Sequence, residues 1–207
     1  MFIKPDFLNQ FMKNLQDNHS PPYSWWLYLA AMLIFNILIF APPVLLANGY
    51  NDIAEPAYFA WSFTCHQLDS RSLCYFPNGK NIIDDCTAQD GNLYYDKNIS
   101  PVRDGFVGYK LPVCSRDIAI YLFMLLGGFA WPLFFKPNST KWLPLWILIL
   151  ALLPTAIDGF SQFLGMREST NAIRLMTGAI MGFAMAFYII PLLNDICIFA
   201  AKKAKAR

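Results

Sequence analysis

Residues 25–47 read WWLYLAAMLIFNILIFAPPVLLA, and no charged side chain interrupts them. Inside lipid every backbone N–H and C=O must be bonded within the chain, and about 20 apolar residues in a helix cross the hydrocarbon layer. The stretch therefore predicts a first membrane helix over 25–47. A signal-peptide core is only about 7 to 15 residues long, and a 24-residue polar segment precedes this one, so a spanning helix is the better reading. Three further spans follow, over 113–135, 142–163 and 171–199. Pro42, Pro43, Pro132, Pro154 and Pro191 fall inside them and predict bends, because proline removes one helical hydrogen bond and crowds the preceding turn. Trp25, Trp26, Trp131 and Trp142 stand where interfacial aromatics belong.

Composition agrees. Hydrophobic residues make up 56% of the 207 and charged residues 14%, against roughly 25% charged in soluble domains. A net charge of +2 without a basic run before the tail excludes a nucleic-acid partner. The expected fold class is an all-α membrane protein: a four-helix transmembrane bundle with an extracytoplasmic amphipathic helix and a polar insertion between helices one and two. Lys4, Lys13, Lys136, Lys141 and the tail with Lys202, Lys203, Lys205 and Arg207 lie on one side. Short basic segments stay in the cytoplasm while long loops translocate whatever their charge. The expectation is a multi-pass protein of the cell membrane with both termini (1–24 and 200–207) cytoplasmic and the 48–112 loop outside.

That loop has two parts. Residues 55–74, EPAYFAWSFTCHQLDSRSLC, are aromatic and amphipathic, suited to a helix on the membrane surface. Residues 77–110 are rich in Asp, Asn and Gly and predict turns or a short hairpin serving as a cap or a protein-partner surface. Four cysteines belong to this side, where disulfides are permitted, and four cysteines allow three connectivities. Cys74 with Cys86, and Cys65 with Cys114, is the expected pairing. A metal site is the rival use: Cys65, His66, Cys114 and Asp117 form a mixed set acceptable to Zn²⁺, but no CxxC or spaced His pair is present and no metal or other cofactor is favoured.

Placed on helices, the remaining polar residues gather at one depth. Cys114, Asp117 and Tyr121 share a face of span two; Asp158 and Gln162 are one turn apart in span three; Arg167, Asn171, Arg174 and Gly178 follow one stripe into span four; Gln67 and Arg71 fall four apart in the surface helix. Charges near hydrocarbon face one another or a wet cavity. One reading is packing through ion pairs, Asp158 with Arg174 and Asp117 with Arg116 or Arg167. The other is a pocket: Arg71, Arg116, Arg167 and Arg174 are all arginines, whose forked guanidinium groups suit phosphate-like anions. Gly178 and Gly182, four apart, and the pair Gly127–Gly128 predict close helix approach within the bundle.

The elements CHQLDSRS (65–72), LPVCSRDIAIYLFMLLG (111–127) and IDGFSQFLGMRESTNAIRLMTGAIMG (157–182) resemble a family of small bacterial and archaeal membrane proteins defined only as a domain of unknown function. That family's second element reads more often PVCxRCxGIY, so Asp117 stands where a cysteine is usual, which weakens a four-ligand metal site. The third element is more distantly similar to VanZ-like membrane proteins, which implies a cell-envelope setting. The expected function is an outward-facing site for an anionic lipid or lipid-linked phosphate, held by Arg71, Arg116, Arg167 and Arg174 and oriented by Gln162, Asn171, Gln67 and Tyr121. Asp158 and His66 are its candidate acid or base groups. Two alternatives stay open: a non-catalytic subunit of a larger membrane complex, and a thiol-redox or metal protein using Cys65, His66 and Cys114. No nucleophile motif, phosphate loop or cofactor fingerprint is present.

Overall fold

A computed structural model describes residues 23–63, 69–86, 99–103 and 105–205. Cys65, His66 and Gln67 lie outside them, as do 1–22 and 87–98.

Among the described residues four helices are long and apolar enough to cross a membrane: α1 (Tyr23–Ala47), α3 (Ser115–Phe134), α4 (Leu145–Phe163) and α5 (Asn171–Lys205). They run through Pro42, Pro43, Pro132, Pro154 and Pro191 without a break. Helix α1 stops because Gly49 adopts φ +81°, a left-handed residue that only glycine takes without penalty. Gly49 N–H then bonds to Leu46 O and Tyr50 N–H to Leu45 O, the paired closure of a Schellman turn. The surface helix α2 (Asn51–Trp61) follows directly, with Ala54, Tyr58 and Trp61 inward and Ile53 and Phe59, like Phe63 just past its end, exposed.

The loop departs from its sequence reading in two ways. The surface helix ends at Trp61, and Arg71 belongs to a 3-10 turn, Asp69–Arg71, not to a continuation of that helix, which the expected shared face with Gln67 required. The polar insertion contributes to a four-stranded antiparallel sheet, β1 (Ser72–Tyr75), β2 (Ile83–Asp85), β3 (Ile99–Arg103) and β4 (Phe106–Cys114), in the order β2-β1-β4-β3. Strand β4 takes up residues that hydropathy alone would give to the loop end of the second span. Its Leu111 and Val113 are buried with Ile39 of α1, Trp61 of α2, Leu73 of β1 and Ile118 of α3, so the sheet is seated on the bundle by apolar burial. Tyr58 OH donates to Lys110 O at 2.5 Å and Trp61 Nε1 to Leu38 O at 3.1 Å. Cys74 and Cys86 form a disulfide with Cα atoms 5.1 Å apart, closing the β1–β2 hairpin.

At the centre α3 and α5 descend side by side in the same direction. A Cβ on Gly182 would stand 2.2 Å from Ile120 O, and one on Gly178 2.5 Å from Arg116 O. Backbone therefore lies on backbone, which requires small residues at this spacing. Gly127 returns the fit from α3, where a Cβ would meet Ala186 Cβ at 2.7 Å. Helix α1 covers one side of the pair, Trp25 Nε1 donating to Gly128 O at 2.9 Å and Tyr28 OH to Met124 O at 2.9 Å. Helix α4 packs mainly on α5, touches α3 through Asp158 and is otherwise largely exposed, Asp158 being its one buried residue. At the tail end the fully buried Asn194 bonds to Ser24 and donates to Ser139 O at 2.7 Å and Pro137 O at 3.1 Å, tying α5 to α1 and to the α3–α4 turn.

Candidate functional site

The site is built at the sheet end of the bundle, where α3 and α5 begin and α4 ends. Helix α4 ends like α1. Gly165, at φ +68°, donates to Gln162 O while Met166 N–H bonds to Ser161 O, both at 3.0 Å. The reversal brings Arg167 back over the last turn of α4, where Nη2 reaches Asp158 Oδ1 at 3.0 Å. Thr170 then starts α5, its Oγ1 accepting from Ile173 N–H at 3.4 Å, and Arg174 follows on the inner face of the first turn. On α3, Arg116 is the second residue, and its Nη2 bonds to Asp158 Oδ2.

Asp158 is 1% exposed. Its Oδ1 accepts from Arg167, and its Oδ2 accepts from Arg116 and from Gln162 Nε2 at 3.0 Å. The expected Asp158–Arg174 pair is thus indirect. Gln162 bridges it, its Oε1 accepting from Arg174 Nη2 at 2.9 Å. Arg174, 3% exposed, also donates through Nη1 to Ser70 O at 3.2 Å and approaches Asn171 Oδ1 at 3.5 Å. Asn171 Oδ1 accepts from Ser115 Oγ at 2.8 Å, while Nδ2 donates to Asp85 Oδ1 at 2.8 Å and Ser72 O at 3.3 Å. One continuous network therefore runs from the disulfide-closed hairpin to the lipid-facing end of α4.

Of the residues singled out in the sequence, Arg116, Asp158, Gln162, Arg167, Asn171 and Arg174 are joined in this network. Arg71 is exposed on the 3-10 turn, within coulombic reach of Arg174. Tyr121 packs edge-on against Phe35 with ring centres 4.7 Å apart, in the core beneath the sheet. Asp117 pairs with neither Arg116 nor Arg167 among the described residues. Its Oδ2 lies 3.1 Å from Cys114 Sγ, and a carboxylate in a first helical turn suits the helix dipole. No group of three His, Cys, Asp or Glu side chains forms among the described residues; Cys65, His66 and Gln67 lie outside them, and with them the Cys65–Cys114 pairing. Sequence reasoning missed Asp85, Ser115, Ser161 and the carbonyls of Ser70 and Ser72. A polar residue in a polar loop carries no local mark of a partner 86 positions away.

The stretch that supplies these groups is also where kinship is found. Residues 105–188 match the family described as "Predicted membrane protein (DUF2085)", and this span holds Arg116, Asp158, Gln162, Arg167, Asn171 and Arg174. An uncharacterised protein of Methanocaldococcus jannaschii is 32% identical over 173 residues, 81% of this chain and 91% of the relative. The chain belongs to this family. A second relative, an uncharacterised protein of Methanothermobacter thermautotrophicus, is 41% identical over 83 residues, 39% of this chain and 71% of its own. No solved structure matches significantly. The DUF2085 match begins at the start of β4 and runs well into α5, so it takes in the glycine seam as well as the arginine network.

Proposed function

We propose that this network is a binding site for the anionic head of a membrane lipid or lipid-linked phosphate, with Asp158 as its fixed counter-charge. The observation that carries the reading is an imbalance. Three arginines share the network with two carboxylates: Arg116 and Arg167 meet at Asp158, Arg174 joins through Gln162, and Asp85 is held by Asn171, while the buried Nε of Arg116 has no acceptor among the described residues. Leaving a buried charged donor unbonded costs more than the 1–3 kcal/mol typical of a neutral one, and surplus positive charge beside hydrocarbon is expensive. A phosphate-type anion offers acceptors for Nε and for the outer edges of the guanidinium groups, which match its geometry. Arg71 stands at the rim to receive the same head. Both Asp158 oxygens are already taken, so its part here is to preset the arginines rather than to move a proton.

Native mass spectrometry of the full chain, gently extracted, tests the reading. The wild-type protein should retain an anionic lipid or lipid-linked phosphate, and Arg116→Gln, folded by circular dichroism, should lose it. A wild type that carries no anionic species and whose melting is unmoved by added phosphate would end it.

The same proposal puts this end of the bundle outside the cell, supported by the basic Lys203 tail at the opposite end and by the disulfide, which persists in oxidising surroundings. In intact cells a membrane-impermeant maleimide should label Lys80→Cys and spare Lys203→Cys. The reverse pattern would turn the molecule over.

A further inference from the structure

We propose that the ligand's hydrocarbon chain lies in a groove along α4, so that it enters the site from the bilayer and not from water; this rests on the anion-site reading and adds the seat of the chain. A cavity of about 470 Å³ is lined by Ala156, Ile157, Phe160, Ser161, Leu164 and Met166, within the roughly 300–1,000 Å³ of ligand-holding clefts. Its origin is local. The first five lie on one side of the helix, and the Gly165 reversal folds Met166 back beside them.

The lining is apolar except at Ser161, and Ser161 belongs to the arginine network. Its Oγ donates to Asp158 O at 2.9 Å and accepts from Arg167 Nε at 3.4 Å. The Arg167 side chain is 47% exposed, the most open of the two guanidinium groups on Asp158, so it stands between groove and buried carboxylate. Any lipid could cover an apolar helix face, but this one ends at a cation cluster with unused donors. An open apolar groove whose one polar lining residue, Ser161, carries Arg167 complements an amphiphile with one hydrocarbon chain aligned on α4 and an anionic phosphate head at Arg167 and Arg116. Free phosphate would satisfy the arginines and leave the groove without a role.

The test uses the full chain in phosphatidylcholine nanodiscs doped with phosphatidic acid carrying a photoactivatable diazirine in one acyl chain, followed by peptide mapping of adducts. Adducts should concentrate on residues 156–166. They should fall about tenfold in Ala156→Phe, which fills the groove from an exposed position, and in Arg167→Gln, while circular dichroism stays unchanged. Equal labelling of the groove by diazirine phosphatidylcholine would overturn the proposal, because the head would then play no part in seating the chain. An unlabelled groove in a protein whose melting is still raised by inorganic phosphate, and not in Arg116→Gln, would overturn the chain seat alone and leave the anion site standing. An unlabelled groove with no phosphate effect would overturn both.

Discussion

Replacing Asp158 by alanine removes the acceptor that Arg116 and Arg167 share. The two arms are unequal. The Arg116 side chain is 20% exposed, its Nε is already unbonded, and its Nη2 has its carboxylate partner in Asp158. Removing one member of a buried pair costs about 3–5 kcal/mol, because the survivor keeps its charge without compensation. The Arg167 arm is half-exposed and can turn to water, so it adds at most about 1 kcal/mol. Alanine should therefore destabilise the bundle by about 3–5 kcal/mol, nearly all of it from Arg116. Asparagine should cost less. Its one oxygen can keep Arg116 and Gln162 while its NH₂ faces Arg167, which swings away, so the loss approaches that of one charged hydrogen bond, about 1.5–3 kcal/mol. Unfolding in mixed micelles by added dodecyl sulfate, followed by tryptophan fluorescence, measures both variants. Combining Asp158→Ala with Arg116→Gln closes a double-mutant cycle, in which the pair should show a coupling of about 1–3 kcal/mol. Strict additivity, or a loss below about 1 kcal/mol for alanine, would refute the buried anchor.

Two glycines of the same bundle should answer the same substitution with opposite signs. Gly182→Ala sets a Cβ 2.2 Å from the Ile120 carbonyl, where only backbone movement can relieve it, and should cost about 1–3 kcal/mol of overpacking in the same assay. Gly159→Ala meets Arg116 Nη1 at an ordinary 3.5 Å and should gain about 0.5–1 kcal/mol of helix propensity. Equal effects at the two positions would contradict the seam. Cys74→Ser opens a loop of sequence separation 12, whose closure is worth about 3 kcal/mol in the chain-entropy description. The variant's β1–β2 hairpin should become the first site of limited proteolysis, and peptide mapping that joined Cys86 to Cys65 in the wild type would overturn the pairing.

The sequence alone determined the membrane class, the four spans and the glycine seam, because each depends on a sum or a spacing within one segment. Hydropathy over about 20 residues needs no partner, and Gly178 with Gly182 falls on one helix face by periodicity. The residue types gathered at one depth, Arg116, Asp158, Gln162, Arg167, Asn171 and Arg174, were legible for the same reason. Their pairing was not. Which arginine meets Asp158 depends on the rotation of α3 against α4 and on the Gly165 reversal, which returns Arg167 to a carboxylate nine positions earlier and leaves Arg174 to Gln162. The sheet was hidden as well: β1 and β4 are strands through each other, Ser72 facing Cys114 and Tyr75 facing Tyr109, and hydrogen bonds between segments so far apart leave no periodic trace in either. Asp85 enters the network because β2 pairs with β1, Asp85 facing Leu73, and that hairpin, closed by the Cys74–Cys86 bridge, brings it to Asn171. The network is assembled from the beginnings of two helices, the end of a third and the hairpin above them, and only the packed tertiary structure brings those four ends together.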